Sequence, residues 1–79
     1  VPPAAMMTVE WMSQVAHCLT PGGRYLTNVV SAQVGEDAYQ LEVLMDVART
    51  VFEQVEVVPL DPEVAPTEPD NLMLVCQRA

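Results

Sequence analysis

The four residues Thr20-Pro21-Gly22-Gly23 constrain the fold of this chain more than any other stretch. Proline lacks a backbone donor and paired glycines lose the most entropy in regular structure, so neither helix nor strand runs through them. Before them the apolar residues Trp11, Met12, Val15, Ala16 and Leu19 recur at helical intervals. That spacing predicts a helix over Thr8 to Leu19 with one stripe facing a core. Thr8 suits the N-cap, and Glu10 suits the positive end of the helix dipole.

After the break the pattern changes. Arg24 to Val30 is rich in β-branched and aromatic residues and is predicted as a strand. Its apolar residues do not alternate cleanly, which predicts burial on both faces, as in a parallel sheet covered by helices. A small polar link, Ser31 to Gly35, precedes a second helix from about Asp37 to Phe52. There Leu41, Leu44, Met45, Ala48, Val51 and Phe52 form the stripe, with Glu36 and Asp37 at the start and Arg49 near the end. Val55 to Pro59 reads as a short strand. Asp61 to Asp70, with Pro62, Pro66 and Pro69, reads as a solvated loop. Leu72 to Gln77 closes as a third strand, almost wholly apolar and therefore central.

The expected fold class is α/β, with residues 1–79 as a single partial domain. The order is helix, strand, helix, strand, strand. The first two strands are expected to form a parallel pair through a right-handed crossover, and the last to return antiparallel. A helix on each face would make this the closing half of a three-layer sandwich. One flank of the first strand would remain an unpaired edge.

Composition narrows the functions. A domain of 79 residues buries only about 60% of its unfolded surface, so its stability is marginal without help. Cys18 and Cys76 are the only cysteines and His17 the only histidine, too few for a zinc site. Neighbours on a helix point about 100° apart, so His17 and Cys18 do not converge on one ion. The cysteines are expected to be reduced, small apolar residues of an intracellular, cytoplasmic protein.

Three arginines, no lysine and 11 acidic residues give a net charge of −8, which repels phosphate backbones and anionic lipid. Nucleic acid and membrane surface are therefore not expected partners. An acidic chain attracts a cation such as a polyamine, although solubility alone accounts for the charge. No stretch approaches the roughly 20 apolar residues that span a bilayer. Val1 to Trp11 lacks the basic start of a signal peptide. The start at Val1 rather than methionine is the pattern expected of a trimmed product.

Against this background an ordered set of residues becomes specific. Pro3-Ala4-Ala5-Met6-Met7-Thr8-Val9-Glu10-Trp11 leads through a proline, small residues and a threonine to a glutamate and an aromatic that open a helix. The helix ends in Leu19-Thr20-Pro21-Gly22-Gly23. Asn28-Val29 follows in the first strand, Val51-Phe52 ends the second helix, and Asn71-Leu72 opens the last strand. This set resembles the C-terminal part of spermidine synthase-like proteins, the polyamine aminopropyltransferases of the S-adenosylmethionine-dependent methyltransferase superfamily. It covers nearly the whole chain. The Leu-x-Pro-Gly-Gly motif alone is shared by Rossmann-like methyltransferases generally.

The resemblance implies the C-terminal portion of a Rossmann-like methyltransferase fold. It implies a parent that moves an aminopropyl group from decarboxylated S-adenosylmethionine to a diamine. The family's glycine-rich loop, acidic strand end and catalytic aspartate would all precede Val1, so this segment is expected to be inactive alone and to bind no cofactor by itself. No catalytic or metal-binding residue is nominated. By the same resemblance Pro3 and Ala4, with Met6 as a neighbour, would lie against the adenine of decarboxylated S-adenosylmethionine or S-adenosylmethionine. The expected partner is the missing N-terminal half of the domain.

Two other readings stay open. One is a methyltransferase of the same fold; the other is a stand-alone acidic interaction domain that forms a homodimer.

The remaining conspicuous residues have structural readings. Trp11 belongs to the stripe, and Met6, Met7 and Met12 fill gaps. Tyr39 is expected at the surface. Asn28 would end a strand and either bond a ligand or a neighbouring loop or cap the backbone. Glu42 and Asp46 form a solvated like-charge pair, with Arg49 a weak partner for Asp46.

Overall fold

Each helix starts and stops where local chemistry requires it. The computed structural model describes residues 4–79. A single 3-10 turn, Ala4–Met7, leads into α1, Val9–Cys18. Thr8 caps α1: its hydroxyl accepts from the Trp11 amide at 3.1 Å and donates to the Ala5 carbonyl at 2.9 Å. Leu19 caps the other end, its amide bonded to the Ala16 carbonyl. The turn that follows places Gly22 at φ +78°, a left-handed conformation that glycine adopts without strain.

The rest of the chain runs β1 (Arg24–Ser31), a short 3-10 turn (Glu36–Ala38), α2 (Tyr39–Val51), β2 (Gln54–Pro59) and β3 (Asp70–Gln77). The expected element order holds, with β1 extending one residue past Val30 to Ser31. Asn28 is consequently mid-strand rather than at a strand end. The second helix begins at Tyr39, after the 3-10 turn that Gly35 introduces at φ +88°.

The sheet order is β1-β3-β2, and β3 is antiparallel to both neighbours. β3 is therefore central, as its apolar run predicts. β1 and β2 share one direction but do not touch, so the expected parallel pair gives way to a pair split by the returning strand. A central strand with two hydrogen-bonded flanks is the place where six consecutive apolar or weakly polar residues cost least to desolvate.

The layering differs from expectation. β1 alternates strictly between inward and outward positions, as do β2 and β3. Tyr25, Val29, Val55, Val57, Leu72, Leu74 and Cys76 point into one core. Both helices cover that same face. Met12 of α1 is fully buried in one cluster with Leu41, Leu44, Met45 and Ala48 of α2. Helices about 10 Å wide, laid side by side, already cover three strands about 4.8 Å apart. The described residues thus form two layers rather than the expected helix on each face, and the second sheet face has no helix among them.

Burial on both faces of β1 is corrected for the same reason. Leu26 and Val30 point away from the helices and are 55% and 37% exposed.

One buried hydroxyl ties the two layers together. Ser31 is 2% exposed; its Oγ accepts from the Leu41 amide at 3.2 Å and lies 2.9 Å from the Ala32 carbonyl oxygen. It anchors the end of β1 to the first turn of α2.

Candidate functional site

The residues expected to border a nucleoside fall at the N-terminal turn. Pro3 lies outside the described residues. Ala4 is exposed and Met6 half-buried in the 3-10 turn that Thr8 ends. Met7, the next residue, packs against the common core and fixes this turn to it.

The glycine pair has no free amide for a phosphate. The Gly22 N–H donates to the Arg78 carbonyl at 3.1 Å, and the Gly23 N–H to the Thr20 carbonyl at 2.8 Å. Arg78 answers with its own amide to the Gly23 carbonyl at 2.9 Å, and Gln77 Nε2 reaches the Gly22 carbonyl at 3.3 Å. The Pro-Gly-Gly turn is a structural clasp for the end of β3.

Among the described residues a concave region of about 530 Å³ lies over Ser13, Gln14, His17 and Cys18 of α1, and two further ones bear on α2 and the sheet. The first of these two, about 490 Å³, runs beside α2, with Leu41, Met45 and Val57 as apolar wall and Glu42, Asp46 and Arg49 as charged rim. The sequence reading treats that rim as a solvated face; the groove under it depends on Gln33 and Val34 of the β1–α2 link, which no periodicity announces. The second, about 380 Å³, is a depression on the open sheet face. Arg24, Gln54, Glu56, Val75 and Gln77 line it. Ala4 and Met6 line none of the three.

The chemistry on offer is limited. Among the described residues no three His, Cys, Asp or Glu side chains are grouped to hold a metal ion. His17 and Cys18 lie on the exposed side of α1, beside Ser13 and Gln14. The expectation that both cysteines behave as small apolar residues holds for buried Cys76 and not for Cys18, which is exposed. Burial pushes the Cys76 thiol up from 9.0 to about 11, so at neutral pH it is protonated and not a nucleophile.

Trp11 is half-buried and its indole N–H donates to the Tyr25 hydroxyl at 3.4 Å, which makes it a bridge between α1 and β1. Asn28 Nδ2 donates to Asn71 Oδ1 at 3.2 Å across the open face. Tyr39 is 69% exposed. No described helix is long and apolar enough to cross a membrane.

No protein-family model matches this chain, and neither a curated protein nor a solved structure is significantly similar to it.

Proposed function

We propose that this chain is the C-terminal part of a spermidine synthase-like aminopropyltransferase domain, a Rossmann-like fold of the methyltransferase superfamily. The observation that supports this most is the position of β3. It returns antiparallel between two strands of common direction, at the end of the order helix, strand, helix, strand, strand. The outer edge of β1 and one face of the sheet are left open, and those are surfaces a preceding half-domain would cover.

The parent would transfer an aminopropyl group from decarboxylated S-adenosylmethionine to a diamine. The attacking amine must be neutral, which needs a carboxylate base beside it. That base belongs to the preceding half. Here Pro3, Ala4 and Met6 would border the adenine, where a short side chain such as Ala4 leaves room for a flat ring. A methyltransferase of the same fold is the second reading, because the Leu19-to-Gly23 turn is common to both.

The test is an assay of the protein translated from the complete reading frame. Transfer of the aminopropyl group to putrescine supports the proposal. Methyl transfer from S-adenosylmethionine without aminopropyl transfer favours the second reading.

A further inference from the structure

β2 is the outer strand on the side of the sheet away from β1, and its far edge has no partner strand among the described residues. The preceding half-domain proposed above takes the β1 edge and the open sheet face, and leaves this edge free. The Leu60 amide bonds to the Asn71 carbonyl at 3.3 Å, which fixes the parity of pairing. Along an antiparallel strand, residues bonded to one neighbour alternate with residues whose backbone turns to the other side. Counted back along the register, Val58, Glu56 and Gln54 are the ones that bond to β3. The amides and carbonyls of Val55 and Val57 therefore point out from the edge, where an added strand finds its bonds. Pro59 has no amide to offer and ends that template.

The same edge adjoins a groove. The side chains of Val55 and Val57 pack toward the helices, and Val57 is the β2 residue in the groove of about 490 Å³ beside α2. Residues directly opposite one another in paired strands share a face of the sheet. A residue added opposite Val57 therefore enters this groove. There it meets an apolar wall of Leu41 and Met45, then the carboxylates of Glu42 and Asp46, which stand one helical turn apart. A lysine matches that succession: its apolar stem lies along the wall and its ammonium emerges between the carboxylates. Arg49, further along α2, repels a second cation and so sets where the first one sits.

Charge at this end of the molecule favours the same occupant. Eight of the 11 carboxylates lie between Glu36 and Arg49 or between Asp61 and Asp70, against the single arginine Arg49 in those stretches. The amides of Gln33 and Val34 both donate to the Pro66 carbonyl, at 2.8 and 3.2 Å. Those bonds draw the acidic Asp61-to-Asp70 segment against the link that closes the groove. A basic segment is attracted to this field and an acidic one is turned away.

We propose that the β2 edge receives an extended segment of a partner protein, paired antiparallel to β2, with a lysine opposite Val57 seated in the groove. In that arrangement the lysine's own amide and carbonyl make both bonds to Val57. The site does not depend on the transferase reading.

The probe is a short end-blocked peptide with a central lysine, valines two positions to either side, and threonine or serine elsewhere. Its binding to the 79-residue chain is followed by nitrogen-15 NMR. The expected result is saturable shifts at the Val55 and Val57 amides and along Leu41 to Arg49. Norleucine in place of the lysine keeps the stem, drops the charge and should weaken binding about tenfold. Glu42→Lys and Asp46→Lys should each weaken it by a similar factor, and both positions are exposed, so the core is untouched. Methylation of the lysine's backbone amide removes a bond to Val57 and should abolish binding. Methylation of an adjoining threonine amide, which points to solvent, should change it less than about threefold. These peptide changes leave the protein itself unaltered. Absence of saturable shifts at millimolar peptide overturns the proposal, as do shifts at Leu26 and Asn28 of the β1 edge instead. Binding indifferent to the lysine charge and to Glu42 and Asp46, or the reverse response to the two methylations, overturns it as well. None of these outcomes bears on aminopropyl transfer, which is tested by activity of the full reading frame.

Discussion

The guanidinium of Arg78 donates to the carbonyl of Leu19, the residue that caps α1, and so joins the end of the last strand to the end of the first helix. Backbone bonds from Gly22 to Arg78 and from Arg78 to Gly23 close the same contact. Replacing Arg78 by Ala removes a charge-assisted bond to a carbonyl that is left under-satisfied. The expected loss is about 1 kcal/mol in urea unfolding, with Arg78→Lys retaining part of it.

The turn inside this clasp is equally specific. A Cβ on Gly23 would stand 2.8 Å from the Thr20 carbonyl oxygen, whereas at Gly22 nothing lies within 4 Å and only the φ of +78° is at stake. Gly22→Ala should therefore cost about 1 kcal/mol of backbone strain. Gly23→Ala should cost more, because backbone rather than a flexible side chain must yield. Equal effects in thermal or urea unfolding would contradict this turn geometry.

One-sided burial of the sheet separates neighbours in β3. Leu74 is fully buried and Val75 points to the open face. Leu74→Ala should lose about 2–5 kcal/mol, and Val75→Ala less than about 1 kcal/mol, under conditions where the chain is monomeric. Comparable losses would mean that both faces are packed.

The two cysteines should differ in the same way. Cys18 is exposed and Cys76 fully buried. A thiol reagent under native conditions should label one cysteine quickly and the second only at the rate of unfolding.

Cys76 also sets an alkaline limit. Its thiol is raised to about 11 by burial, against 9.0 for an exposed group, so between those values the folded state holds a proton that the unfolded state has lost. Stability is complete below pH 9 and falls as pH rises from 9 to 11, by about 2 kcal/mol in all. Cys76→Ala should lose some stability at pH 7 but show a shallower decline over that window.

Much of the fold is legible in residues that act locally. Thr8 caps the helix it is expected to cap, and the stripe through Leu41, Leu44, Met45 and Ala48 is the buried side of α2. The apolar run of β3 does mark the central strand. What local pattern misreads is layering. Leu26 and Val30 are as apolar as Val29, and nothing in their order says that only Val29 meets a helix. That outcome depends on α1 and α2 sharing one core around Met12, which is a non-local choice. The clasp by Arg78 was hidden for the same reason, since it joins residues 59 apart in sequence. Of the nominated site, Ala4 and Met6 are placed on the turn before α1, while Pro3 lies outside the described residues. The groove beside α2 has no sequence signal beyond the charges on its rim.

The most direct measurement is the reading frame upstream of the codon for Val1. The expected result is an open frame encoding a strand, a glycine-rich loop, an acidic strand end and a loop with the catalytic aspartate, the parts that would cover β1 and the open face. A frame with the glycine-rich loop and no aspartate loop would contradict the aminopropyltransferase reading in favour of a methyltransferase. A start codon immediately before Val1 would contradict both.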